Sequence, residues 1–180
     1  MRGLAAAALA LIAVPAGAQF FSENYTFLKA VRDRDAAKVQ SILSNPSSTA
    51  VNARESGTGE GAVHIVTRNR DLIWLRAMLG AGGRPDLQSN DGTTALILAA
   101  QLGWRDGAEL LLTRGASPNL GNSRGETPLI FAVQRRDLPM VRLLLSRRAN
   151  PNQTDNVAGY SAIDYARQDP RATAILRELE

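Results

Sequence analysis

Apolar residues recur along this chain at the three- and four-residue spacing that places side chains on one face of a helix. Leu138, Val141 and Leu144 show the spacing most clearly. Between such stretches, residues 86–92 and 119–125 are rich in turn-forming residues and predict projecting hairpin loops. The pattern therefore predicts short helices that are separated by loops.

The whole pattern repeats. Glycine-led boxes begin at Gly59, Gly92 and Gly125 at one constant interval, and a fourth begins at Gly159, a single position later than that interval predicts. The second half of each unit carries an apolar residue at one shared position, which holds Leu75, Ala108, Val141 and Ile175. The same offsets applied backwards predict a degenerate first unit that begins near residue 24.

These boxes resemble the ankyrin repeat, which has a period of about 33 residues and a box that reads T-P-L-H-x-A. The best copy contains Thr127-Pro128-Leu129, whereas Gly61 replaces the box threonine in another copy and only His64 keeps the box histidine. The resemblance covers residues 24–180. It implies an all-α ankyrin-repeat solenoid of about five helix-turn-helix units joined by hairpin loops. The expected units within a domain of residues 19–180 are about 24–54, 55–87, 88–120, 121–154 and 155–180.

Two local signals support the helix boundaries. Thr94, Thr127 and Ser161 each precede a helix and can accept hydrogen bonds from its first N–H groups. Gly82 and Gly115 follow the second helix of their units, where a left-handed residue commonly ends a helix.

Residues 1–18 contain a positive start, an apolar run and small residues in the order that is typical of a secretory signal peptide. Met1-Arg2 is positive, residues 4–14 form an apolar run, and Pro15 precedes the small residues Ala16-Gly17-Ala18. We expect cleavage after Ala18 and export to a bacterial periplasm, with no stable membrane anchor afterwards. The alternative is an uncleaved segment that tethers the protein at the inner membrane, although the run is shorter than the roughly 20 residues that span a bilayer.

The amino-acid composition limits the kinds of functional site that this chain can form. The chain of 180 residues has a net charge of +4, contains no cysteine and has only two lysines, so its positive charge is almost all arginine. Disulfides, thiolate metal sites and cysteine nucleophiles are therefore excluded. The net charge is only weakly positive, and the sequence contains neither a run of basic residues nor aromatic residues interleaved with arginines, as a nucleic-acid-binding protein would.

Candidate catalytic groups are few. His64 is the only histidine, and we interpret it as a tie between neighbouring loops, the use that the resemblance implies for the box histidine. No G-x-S-x-G elbow or phosphate-binding glycine loop is present. Trp74 and Trp104 are expected to pack or to lie half-exposed, with an interface role as the alternative. We predict no catalytic site, metal or cofactor.

The resemblance implies a scaffold, monomeric by itself, that binds another protein with an acidic or polar surface. Binding is expected through the hairpin tips and the concave face of the first helices. The matching tip residues are Arg54, Asn90, Asp91, Arg124 and Glu126. The matching helix residues are Arg32, Asp33, Arg68, Asn69, Gln101, Leu102, Gln134, Arg135 and Gln168. Inhibition, immunity or stabilisation of a partner enzyme, a structural role in the envelope, and an enzyme on a repeat scaffold remain as alternatives.

Overall fold

The structure, a computed structural model, describes residues 16–180, with side chains described from residue 23 onward. Ten α-helices follow one another in this part of the chain. Their bounds are α1 Ala16–Asp33, α2 Ala36–Leu43, α3 Ala62–Arg68, α4 Leu72–Gly80, α5 Ala95–Leu102, α6 Arg105–Thr113, α7 Pro128–Gln134, α8 Leu138–Ser146, α9 Ala162–Gln168 and α10 Thr173–Leu179. Short 3-10 turns lie at Ala50–Asn52 and Pro170–Ala172. The described residues form no β-strand, which agrees with the all-α prediction.

The helices form two layers. Helices α1, α3, α5, α7 and α9 pack in succession as a first layer, while α4, α6, α8 and α10 pack in succession as a second layer. Helix α2 packs mainly on α1. Apolar side chains from both layers, such as Leu75, Leu96 and Leu144, are fully buried in one continuous core. A single helix pair is too small to bury its apolar face, so stacking on neighbouring pairs supplies the core.

The predicted helix starts are confirmed. Thr94 and Thr127 accept hydrogen bonds from the N–H groups of Ile97 (3.2 Å) and Ile130 (3.3 Å). Ser161 forms a reciprocal capping box with Asp164. Helices α2, α4 and α8 also begin at caps, because the side chains of Asp35, Asp71 and Asp137 each accept from the N–H of the third residue of the helix that follows.

The turns at helix ends use left-handed backbone. Gly82 and Gly115 both have a φ of 90°, which confirms their predicted role. In the turn between the two helices of a pair, however, the left-handed residue is an arginine in three units. Arg34, Arg70 and Arg136 have φ values of 58°, 52° and 56°. Each of these side chains reaches the next unit, where it binds Asp71, the Leu102 carbonyl and Asp169 respectively.

Candidate functional site

Four hairpins project from the helical stack, at residues 54–61, 87–94, 120–127 and 153–161. Each hairpin after the first donates a backbone N–H from its tip to a carbonyl of the hairpin before it. These bonds run from Asn90 to Thr58 (2.8 Å), from Ser123 to Asp91 (2.9 Å) and from Asn156 to Arg124 (2.7 Å). We call this series the hairpin ladder, and it holds the tips in a fixed row.

Glycines let the tips approach this closely. Gly59, Gly92 and Gly125 have φ values of 72°, 77° and 75°, in the left-handed region that favours glycine. The next hairpin lies directly against each of them. A Cβ atom at Gly92 would stand 2.6 Å from the backbone nitrogen of Ser123, a distance that only displacement of backbone could relieve.

His64 ties two hairpins together. Its side chain is fully buried, its Nδ1 accepts a hydrogen bond from the Gly61 N–H (3.1 Å), and its Nε2 lies 2.9 Å from the Thr93 carbonyl. Nε2 therefore carries the proton and donates it. Burial lowers the pKa of His64, which keeps the ring neutral. The predicted structural role is confirmed, and both ring nitrogens are occupied.

The predicted helix residues share one location, the C-terminal ends of the first-layer helices. Arg32 and Asp33 end α1, Gln101 and Leu102 end α5, and the others end α3, α7 and α9 or directly follow α3 and α7. All of them are exposed or half-exposed: Arg32, Asp33, Arg68, Asn69, Gln101, Leu102, Gln134, Arg135 and Gln168. We call them, with the hairpin tips, the first-layer surface.

The side chains of the predicted tip residues add hydrogen bonds around the hairpin ladder. Arg54 donates from Nε to the Gly59 carbonyl (3.1 Å) and from its guanidinium to Asn90 Oδ1 (3.1 Å). Asp91 accepts from the N–H (3.2 Å) and hydroxyl (3.0 Å) of Thr93. Because these polar groups are held by neighbours, they present a fixed pattern of donors and acceptors to solvent.

Ion pairs offset part of the expected positive charge on the first-layer surface. Arg32 pairs with Glu55 (2.7 Å), Arg124 with Glu126 (2.7 Å), and Arg68 with Glu60. Among the described residues Arg135 forms no ion pair. Arg54 also forms no ion pair there and bonds only to neutral groups, so free positive charge on this surface lies both at the first hairpin and near the end of α7.

Sequence reasoning missed an apolar series along the first-layer helices. The box position just before its last residue holds Ile65, Leu98, Phe131 and Tyr165 in successive units. Ile65 and Leu98 are buried, whereas Phe131 and Tyr165 are half-buried. The shared box position is visible in the sequence, but its partial exposure in the last two units follows from packing.

The last hairpin carries the most apolar exposure of the four. Val157 is 70% exposed and Tyr160 is 40% exposed. The Tyr160 ring meets the Tyr165 ring edge-on, with centroids 5.6 Å apart. Beneath them the buried Asp155 accepts hydrogen bonds from the Tyr165 hydroxyl (2.6 Å) and from the N–H groups of residues 157–159. This carboxylate fixes the hairpin from inside.

Asp155 and Tyr165 perturb each other's pKa. Burial alone would raise the pKa of Asp155, but the Tyr165 hydroxyl and three backbone N–H groups outweigh it and lower the pKa. The hydrogen bond to Asp155, together with burial, raises the pKa of Tyr165 to about 12. At neutral pH Asp155 therefore stays ionised and Tyr165 stays protonated, the forms in which the two groups hydrogen-bond to each other.

The two tryptophans pack as expected. Trp104 is buried, and its ring lies so close against Gly107 that a Cβ atom at that glycine would overlap it. Trp74 is half-buried beside a groove of about 300 Å³ between α2 and α4, whose lining includes Ile73 at 80% exposure.

Neither a metal cluster nor a membrane span is present within residues 16–180. No three His, Asp or Glu side chains described there are grouped to hold a metal ion. Nor is any described helix long and apolar enough to cross a membrane. The apolar run of residues 4–14 and Pro15 lie outside the described residues, so export and cleavage after Ala18 stay predictions.

Comparison with known families agrees with this geometry. The family model described as ankyrin repeats (3 copies) matches three overlapping stretches, residues 27–122, 63–155 and 96–177. Together these stretches extend from α1 to α10, and the two-layer stack with projecting hairpins is the architecture that the resemblance implied. Ankyrin repeats generally mediate protein–protein interactions and typically form non-catalytic scaffolds. The chain belongs to the ankyrin-repeat family.

Proposed function

We propose that this protein is a non-catalytic scaffold of the bacterial envelope that binds a partner protein through its first-layer surface. One observation supports the proposal: exposed or half-exposed residues lie at the C-terminal ends of all five first-layer helices, beside a row of hairpin tips that backbone hydrogen bonds join to one another. Rigid polar groups lose little conformational entropy on binding, so such a surface is suited to a folded partner.

The charge of the surface indicates the partner's chemistry. Because Arg135 forms no ion pair within the described chain, it is available to an acidic group of a partner. Gln101 and Gln134 add amide donors and acceptors beside it. We therefore propose a partner with an acidic or polar surface, and not a nucleic acid.

The consequence of binding has four candidate forms. The protein inhibits, protects against or stabilises a partner enzyme, or it joins structural components of the envelope. The location depends on the N-terminal segment, whose charge, apolar run and small residues are typical of an exported protein. A mature N-terminus at Gln19 in the host would support export with cleavage.

The proposal is tested by crosslinking in intact host cells that express the full chain with a C-terminal tag. The variant Arg135→Glu reverses the unpaired charge near the end of α7 on the first-layer surface. Arg114→Glu makes the same charge change at the end of α6, in the second layer. We expect one envelope protein to be recovered with the wild type and with Arg114→Glu, and to be lost with Arg135→Glu. Equal recovery with both variants would refute the proposed surface.

A further inference from the structure

We infer that the C-terminal ends of the second-layer helices α4, α6 and α8 form a docking surface for an anionic lipid bilayer, whose phosphate groups bind to arginines there. The surface consists of Arg84, Arg114, Arg147 and Arg148, in the turns that follow these helices, and we call it the arginine edge. None of these residues belongs to the first-layer surface, so the inference does not rest on the proposed partner protein.

The first observation concerns charge. Among the described residues, none of the four arginines forms an ion pair. Three of them are exposed, and Arg147 is half-buried. Asp86 lies two positions from Arg84, but its carboxylate accepts a backbone N–H of the next unit (2.9 Å), and no acidic residue lies within four positions of the other three arginines. Their positive charge is therefore available to an anion outside the chain.

The second observation concerns the backbone of Arg148. At the same repeat position the two preceding units have Gly82 and Gly115, and all three residues are left-handed, with φ values of 66° at Arg148 and 90° at both glycines. Arginine at such a position carries a backbone cost that glycine avoids. The left-handed arginines between paired helices bind the next unit, whereas the Arg148 guanidinium forms no hydrogen bond within the described chain. A strained residue that no internal contact offsets favours a role in binding.

The third observation concerns how the arginine edge is held. Asn119 accepts a backbone N–H from the turn after α8 (2.7 Å) and donates to the Arg148 carbonyl (3.1 Å). Asn52 joins the turn after α4 to the preceding unit in the same way. Arg147 donates to the hydroxyl of Thr113, the last residue of α6 (3.4 Å). Because packed helices lie about 8–10 Å apart, the arginines form a row with roughly that spacing.

This row favours an extended anionic surface as the ligand. One phosphate ion contacts one or two guanidinium groups, whereas neighbouring headgroups of a bilayer meet the whole row together. The groove between α2 and α4 has no charged residue in its lining, and it extends to Leu43 and Ala81 at the C-terminal ends of these helices. A lipid supplies both a phosphate for the arginines and an acyl chain for the groove. Neither free phosphate nor nucleic acid supplies the apolar part.

The test measures co-sedimentation of the full chain, purified from its host, with lipid vesicles. One set of vesicles contains equal parts of phosphatidylglycerol and phosphatidylcholine, and the other contains phosphatidylcholine alone. Arg148→Gly removes one guanidinium and restores the residue that the repeat has at this position. Arg105→Gln is the matched control, because Arg105 is exposed, forms no ion pair within the described chain and begins α6, at the end away from the arginine edge. All variants share the same N-terminal segment, so its contribution to vesicle binding cancels between them.

We expect the wild type to bind the anionic vesicles at least tenfold more tightly than the neutral vesicles, and to lose this preference in concentrated salt. Arg148→Gly should weaken binding to the anionic vesicles at least threefold, Arg147→Gln combined with it at least tenfold, and Arg105→Gln less than twofold. The urea midpoint of Arg148→Gly should equal or exceed that of the wild type, because glycine adopts the left-handed backbone readily.

Equal binding to the two sets of vesicles, or equal weakening by Arg105→Gln and Arg148→Gly, would overturn the inference. A lower urea midpoint for Arg148→Gly would also contradict it, because Arg148 would then stabilise the fold. If the chain binds inorganic phosphate or a DNA duplex but no vesicle, and Arg148→Gly weakens that binding, the lipid is the wrong ligand. None of these results changes the crosslinking expected through Arg135, so this inference and the proposed function fail separately.

Discussion

Two glycine substitutions separate backbone strain from contact between hairpins. Gly92 and Gly159 have similar left-handed φ values of 77° and 70°. Alanine at either position carries the same cost of a left-handed backbone, about 1–2 kcal/mol. It also restricts the unfolded chain equally in both variants. Any difference between Gly92→Ala and Gly159→Ala therefore measures the contact alone.

The size of that difference follows from the surroundings. At Gly92 the new Cβ would lie 2.6 Å from the Ser123 nitrogen and 3.0 Å from a backbone carbon of Asn122, so the neighbouring hairpin must move. Forcing extra atoms into packed structure typically costs about 1–3 kcal/mol. At Gly159 the Cβ meets nothing. We expect Gly92→Ala to lose about 1–3 kcal/mol more unfolding free energy than Gly159→Ala.

Urea unfolding followed by circular dichroism measures both variants beside the wild type. Equal loss of unfolding free energy in the two variants would refute the hairpin ladder as a contact that contributes to stability. A larger loss in Gly159→Ala would contradict the open surroundings of that residue.

Three further predictions concern His64, Leu96 and Tyr165. Burial lowers the pKa of His64 below its ordinary value of 6.5, so near pH 6 the unfolded chain binds more protons than the folded chain. The urea midpoint of the wild type should therefore fall as the pH drops below 6.5 and stay level above it. The variant His64→Gln should lose this pH dependence. Leu96→Ala, at a fully buried position, should lower the unfolding free energy by about 2–5 kcal/mol in the same assay. Tyr165→Phe removes a hydrogen bond to the buried Asp155 carboxylate and should cost about 1.5–3 kcal/mol by thermal denaturation. A flat pH response in the wild type, or losses below about 0.5 kcal/mol in the other two, would contradict these assignments.

Much of the fold could be predicted because the repeat sets both the spacing of the helices and the residues that cap them. The box fixes where each first-layer helix starts, and Thr94 and Thr127 cap those helices as their side-chain oxygens predict. The role of His64 followed from its box position. These features depend on residues close in sequence or one repeat apart, so the sequence contains the information.

The left-handed arginines could not be predicted in this way. Arg34, Arg70 and Arg136 occupy a backbone region that favours glycine, and Gly103 fills the same turn in the third unit. A contact with the next unit, made by each arginine side chain, accompanies the unusual backbone. These contacts depend on the neighbouring unit in the stack, and no residue close in sequence indicates them.

The sequence predicts where the candidate residues lie in the stack, but not which of their charges are paired or which neighbouring side chains are exposed. The predicted helix residues do lie together at first-layer helix ends, because the repeat places them there. The pairing of Arg68 with Glu60 and of Arg124 with Glu126 depends on the conformations that long, flexible side chains adopt in the folded structure. The exposure of Val157 and Tyr160 depends on how the last hairpin packs against the helices, which residues close in sequence do not indicate.

The most direct test of binding through the first-layer surface uses a photo-crosslinking amino acid in host cells. It replaces Gln134, at the exposed end of α7, in one strain and Arg114, in the second layer, in another. We expect one abundant crosslinked protein with the amino acid at position 134 and none at position 114. A crosslink formed only at position 114, or none at position 134, would contradict it.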